Sequence, residues 1–84
     1  MDSKNIPYGK MTSTKELGEM VRYRRKELKA TQTTVAGLSG VGLRFLSELE
    51  RGKSTVELGK TLLVLGRLGL DIVIAPRNST RNPG

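Results

Sequence analysis

The chain has 84 residues, a net charge of +7 and neither cysteine nor histidine. Those absences exclude disulfide scaffolds, Cys or His metal sites, and Ser-His-Asp or Cys-His nucleophilic machinery. The size fits one domain, marginal on its own and helped by dimerisation, and the positive charge favours an anionic partner.

Residues 1–12 hold Asp2, Ser3, Lys4, Asn5, Pro7 and Gly9 and read as a flexible arm. Ser13 with Glu16 fits a capping box, so a helix is expected from there to about Leu28. Leu17, Met20, Val21, Arg24 and Leu28 share one face of it. Arg22, Arg24, Arg25, Lys26 and Lys29 form a basic run whose plain reading is a solvated face. Thr31 caps a second helix from Gln32 to about Leu38, with Val35, Ala36 and Leu38 inward. Ser39 and Gly40 end it, glycine being suited to the left-handed stop position. A third helix is expected from Leu43 to Glu50, with Leu46 and Leu49 inward and Gly52 as its stop.

Ser54 with Glu57 offers a second capping box, followed by a helix to about Leu68. Leu58, Leu62 and Leu65 make its core stripe, with Leu63, Val64 and Leu68 partly off it and Gly69 at its end. Residues 70–76 are β-branched, stop at Pro76 and read as one strand. Residues 77–84 are a polar tail, expected to be disordered. The fold class expected is mainly α: a helix-turn-helix domain over residues 13–69 with one C-terminal strand.

Eleven of the fifteen Lys and Arg lie in residues 1–53, so the basic face belongs to the N-terminal two-thirds. No apolar run approaches the roughly 20 residues a membrane helix needs. The N-terminus lacks the apolar core of a signal peptide. No membrane association is expected, and the location expected is cytoplasmic, on the nucleoid. With only eight Asp and Glu, a carboxylate-based enzyme is disfavoured, and no cofactor or metal is expected.

Two short helices around a glycine outline a helix-turn-helix. The stretch Thr31-Gln32-x-x-Val35-Ala36-x-Leu38-x-Gly40-Val41, followed by Phe45-Leu46-Ser47-x-Leu49-Glu50-Arg51-Gly52-Lys53, resembles the Xre/lambda-repressor-type helix-turn-helix over about residues 17–68. Ala36 is small where the third helix crosses close to the second. Gly40 permits the turn. Val41, Leu46 and Leu49 fill the space between helices.

The resemblance implies roles for further residues. Gln32 and Thr33 bind phosphate, as does Thr31, which is also a plain helix cap; a helix N-terminus favours that anion. Arg25 and Glu50 form an internal salt bridge tying the first helix to the third. Leu43, Arg44, Ser47 and Glu48 are the base-reading positions. Arg44 is the foremost, since its guanidinium can bond both O6 and N7 of guanine. Ser47 can bond a base or a phosphate. Glu48 either accepts from cytosine N4 or stands as a solvent-facing charge that repels wrong sites. Arg51 and Lys53, around Gly52, contact the phosphate backbone. Two positions depart from the pattern. Leu43 stands where a polar residue is common, so it touches a thymine methyl or simply packs. Gly42 stands where Ser or Thr often caps the helix.

A lone strand needs a partner for its backbone groups. Asn5 to Tyr8 is a weak candidate within the chain. The simpler partner is the same strand of a second copy, giving a homodimer with Val64, Leu68, Ile72, Val73 and Ile74 at the contact and Leu63 beside them. Such a dimer presents two recognition helices roughly 34–36 Å apart to a palindromic duplex. Four helices plus a C-terminal strand are similar to the HipB and Y4mF-type antitoxin regulators over Leu17 to Pro76. That resemblance implies an antitoxin that represses its own toxin–antitoxin operon and holds a HipA-like kinase toxin inactive, with a tail open to proteolysis. The alternative is a stand-alone repressor of phage or restriction-controller type. An RNA-binding module is disfavoured, because Tyr8, Tyr23 and Phe45 are the only aromatic side chains available for stacking.

Overall fold

The computed structural model describes residues 8–77. Four helices follow in chain order: α1 (Thr14–Glu27), α2 (Gln32–Ser39), α3 (Leu43–Glu50) and α4 (Leu58–Arg67). The expected helices of the first three elements lie within a residue of these bounds.

Local chemistry explains most of the ends. Ser13 caps α1 by accepting from Glu16 N at 3.1 Å. Glu16 returns the contact one residue earlier than a standard box, accepting from Thr12 N at 2.6 Å and Thr12 Oγ1 at 2.9 Å. These bonds, led by that from Thr12 N, hold the Glu16 carboxyl below its ordinary pKa. The stop of α1 carries no glycine. Lys29 takes the left-handed conformation at φ 58°, and Ala30 N donates back to Arg25 O at 3.1 Å. Thr31 caps α2 by accepting from Thr34 N at 3.1 Å, and Gly40 ends it at φ 76°. Gly42 precedes α3 with no side-chain cap bond.

The core joins Val21 of α1, Val35 and Ala36 of α2, Leu46 and Leu49 of α3, and Val64, Leu65 and Leu68 around α4. Helix α1 packs on α3, while α2 packs on both α3 and α4. The α1–α3 crossing is a backbone contact. A Cβ on Gly18 would stand 2.7 Å from Glu50 O, so only glycine fits. Beside it Thr14 Oγ1 donates to Gly52 O at 2.9 Å, and Gly52 turns the chain at φ 85°.

Three expectations are corrected. The second capping box does not form: Glu57 is itself the N-cap of α4, with no side-chain cap bond, and Ser54 lies in a turn before it. The inward stripe of α4 is Thr61, Val64, Leu65 and Leu68, while Leu58 and Leu62 are 65% and 48% exposed. Thr61 joins the core because its hydroxyl donates to Glu57 O at 2.8 Å, which lets a polar side chain pass as an apolar one. Leu38 and Leu28 are exposed, and Ser39 occupies the inward place on α2. No β-strand occurs among the described residues. A strand exists only as half of a ladder, and nothing else described in this chain is a strand to complete one.

Residues 8–12, expected as part of the arm, are held against α1. Tyr8 donates its hydroxyl to Glu27 Oε1 at 2.8 Å and sets its ring edge-on to Tyr23 at 5.4 Å. Burial, then the bond to Glu27, pushes the Tyr8 phenol up to about 12. The remainder of the arm and the tail beyond Arg77 lie outside the described residues.

Candidate nucleic-acid interface

The left-handed turn at Gly40 places α2 and α3 as the two arms of a helix-turn-helix, with α1 behind α3. Arg25 of α1 and Glu50 of α3 meet face to face. Arg25 Nε donates to Glu50 Oε2 at 2.6 Å and Nη2 to Oε1 at 2.9 Å. The side chains are 11% and 3% exposed, so the pair is withdrawn from water. Two further bonds hold it: Arg25 Nη1 donates to Ala30 O at 2.9 Å, and Gln32 Nε2 donates to Glu50 Oε1 at 3.0 Å. The bonds to Glu50 raise the Arg25 pKa further above its ordinary value. A buried pair of this kind fixes geometry more than it adds stability.

Beside this pair lies a cleft of about 310 Å³, lined by Arg22, Arg25, Lys26, Gln32, Ser47, Glu50 and Arg51. Arg22, Lys26 and Arg51 are exposed cations at its walls. Arg22 and Lys26 had no assigned role in the sequence beyond a solvated basic run. Their signal was there: i and i+4 spacing puts them on one face of α1, next to Arg25. Gln32 uses one amide N–H on Glu50 and retains a second for an anion. Thr31 is engaged as the α2 cap, and Thr33 is exposed in the first turn.

On α3 the four base-reading candidates differ in availability. Arg44 has a side chain 91% exposed at the N-terminal turn. Leu43 is also exposed, while Ser47 is half-buried and accepts from Arg51 Nη1 at 2.7 Å. Glu48 accepts from Arg44 Nε at 3.2 Å and from Lys53 Nζ at 3.1 Å. These contacts, led by the bond from Lys53, lower the Glu48 pKa. The arrangement offers a projecting guanidinium within a rim of cations. That is the charge pattern of a surface that follows a phosphate backbone.

The residues expected at a dimer contact divide. Val64 and Leu68 are 0% and 2% exposed and belong to the core of the single chain. They cannot meet a second copy without leaving it. Ile72, Val73 and Ile74 are exposed, as are Leu58, Leu62 and Leu63 of α4. Among the described residues no group of three or more Asp, Glu, His or Cys could hold a metal ion, and no helix is long and apolar enough to cross a membrane.

No protein-family model matches the chain. A curated relative, the HTH-type transcriptional regulator y4mF of Sinorhizobium fredii, is 48% identical over 62 residues, which cover 73% of this chain and 82% of the relative. Among solved structures, the HipB-O4 20mer complex superposes with a TM-score of 0.76 at 20% identity, covering 83% of this chain and 99% of that one. The HipA-HipB-O2-O3 complex gives the same TM-score of 0.76 at 20% identity, over 83% and 99%. At that identity the likeness shows the fold, which is that of HipB. With four helices arranged in this fold and nearly half of 62 residues shared with y4mF, the chain belongs to the HTH-type transcriptional regulators.

Proposed function

We propose that this regulator is a homodimeric, operator-binding repressor, and the antitoxin of a pair whose other member is a HipA-like kinase toxin. One observation carries the DNA side of the reading. Arg44 projects from the N-terminal turn of α3, and Arg22 and Lys26 on α1, with Arg51 and Lys53 just after α3, are exposed cations. In this reading α3 enters the major groove and Arg44 bonds guanine. The cleft cations, with Gln32, Thr31 and Thr33, take the phosphates. Leu43 contacts a thymine methyl and Ser47 a base or phosphate. The likeness to HipB, solved in complexes with O4 and with HipA, supports the toxin side. The exposed Ile72, Val73 and Ile74 support pairing of the C-terminal segments of two copies. The protein then works in the cytoplasm, on the nucleoid.

The test is a mobility shift on the DNA upstream of its own gene, against scrambled DNA at physiological salt. The wild type should prefer its own fragment. Arg44→Ala should lose that preference, a change of about 1–3 kcal/mol. Lys26→Ala should weaken both complexes alike and lower the salt slope by about one. A wild type with no preference would overturn recognition of this promoter. Co-purification with the product of an adjacent kinase-like gene tests the antitoxin role, and failure to bind or inhibit it would leave a stand-alone repressor.

A further inference from the structure

Glu48 is the one acidic residue of α3 that the buried ion pair does not use, and it sits one turn from the projecting Arg44. Its carboxylate is a hub. Oε2 accepts from Arg44 Nε at 3.2 Å and Oε1 from Lys53 Nζ at 3.1 Å. The Glu48 side chain is only 19% exposed, against 91% for Arg44 and 48% for Lys53, so the carboxylate lies beneath two cations that reach past it. An unpaired carboxylate here would face the field of the phosphates, whereas one spanned by two cations does so at little cost.

The way Arg44 is held matters. Guanine recognition uses two parallel N–H groups against O6 and N7. Glu48 bonds Nε, which leaves the two terminal nitrogens of the planar fork free to point outward together. The same carboxylate ties this fork to Lys53, just beyond α3 where phosphate contacts are expected. We infer that Glu48 is a positioning and specificity-determining residue: it fixes the Arg44 fork for guanine and couples base reading to the Lys53 backbone contact. By holding both cations it also restrains their use on DNA that lacks the right base. This inference rests on the DNA-binding reading. Exposed ion pairs contribute little to folding, so the effect belongs in discrimination between duplexes.

The experiment uses the duplex enriched by in vitro selection with the full wild-type chain, and a scrambled duplex of equal length. Both are titrated by fluorescence anisotropy at one fixed salt concentration. The proteins are wild type, Glu48→Ala, Glu48→Gln, Arg44→Ala and the double variant Arg44→Ala/Glu48→Ala. Glu48→Ala should bind scrambled DNA as tightly as wild type or several-fold tighter, and its selected-to-scrambled ratio should fall about tenfold. Adding Glu48→Ala to Arg44→Ala should lower the ratio no further. Glu48→Gln keeps the shape without the charge, should fall between the two, and stands in if the alanine variant folds poorly. An equal fall in the Arg44→Ala background would make Glu48 a direct reader of a base and overturn the proposal. So would an equal shift on both duplexes, which marks a general charge effect. If selection enriches no sequence, the DNA-binding reading fails and this proposal with it. An enriched duplex whose ratio Glu48→Ala leaves unchanged defeats the proposal alone.

Discussion

On one side of the molecule α1 and α3 meet backbone to backbone at Gly18, and the Arg25–Glu50 pair is further bonded by Ala30 and Gln32. On the other side α4 and the segment after it leave Leu58, Leu62, Leu63, Val73 and Ile74 in the open. The first side is finished within one chain. Buried polar groups there are answered by named partners, and its outward surface is charged. The second side exposes side chains of the kind normally covered by another surface. The contrast is between a surface closed within the chain and one left apolar: the α1–α3 side answers its own buried polar groups, while the α4 side leaves side chains uncovered that the proposed dimer would bury.

The strongest way to break the finished side is Glu50→Ala. It would strand the Arg25 guanidinium in a buried place and leave Gln32 without its acceptor. We expect a loss of about 3–5 kcal/mol in urea unfolding at fixed protein concentration. A loss below about 1 kcal/mol would mean that the pair behaves as an ordinary surface bridge. On the open side Val73→Asp should do the reverse. Val73 is 85% exposed, so the stability of a single chain should barely change. Across a two-fold axis, however, the substitution counts twice. The dimer dissociation constant should rise at least about a hundredfold, read by sedimentation. An unchanged mass distribution would show that this segment is not the self-association surface.

The α1–α3 crossing can be probed with one methyl group. In Gly18→Ala the new Cβ would meet Glu50 O at 2.7 Å, a backbone atom that cannot swing aside. The helices must separate, at a cost of about 1–3 kcal/mol. Gly37→Ala on α2 is the control, because a Cβ there has nothing within 4 Å. It should stabilise by about 0.5–1 kcal/mol through helix propensity alone. Similar outcomes for the two glycines would remove the close-approach argument.

The difference between the sides also explains what was legible beforehand. The start of α1 and both ends of α2 lie at residues whose chemistry is local: Ser13, Thr31 and Gly40 announce themselves in the sequence. The Arg25–Glu50 pair joins residues 25 positions apart, and only a family resemblance pointed to it. The stop at Lys29 carries no signal, since a lysine in the left-handed region is chosen by the bonds around it. Gly18 was invisible for a different reason. A helical glycine marks a close approach only once the facing backbone is in place. Helix α4 misled because two leucine-rich faces compete. Leu58, Leu62 and Leu65 make as regular a stripe as Thr61, Val64, Leu65 and Leu68, and α2 packs on the second. Within the site, Arg44 stands exposed on the first turn of α3. The bonds from Arg44 and Lys53 to Glu48 depend on where α3 ends, which composition does not encode.

Helix α2 touches both sides, packing on α3 and on α4, and it carries the smallest effect expected. Ser39 is 9% exposed, and its Oγ has no hydrogen-bond partner among the described residues. A buried hydroxyl in that condition loses its hydration and gains nothing in return. Ser39→Ala removes the hydroxyl, keeps the Cβ that packs inward, and places a better helix former in the last turn of α2. The variant should therefore be neutral or more stable, by about 0.5 kcal/mol, with the midpoint of urea unfolding raised and its slope unchanged. A clear destabilisation would mean that the hydroxyl has a partner, supplied within the chain or, after a rearrangement that uncovers it, by a second molecule. Repeating the measurement in the Val73→Asp background separates the two cases. If the loss seen with Ser39→Ala disappears when dimerisation is blocked, the Ser39 hydroxyl belongs to the open side of the molecule; if it persists, the partner lies within the chain.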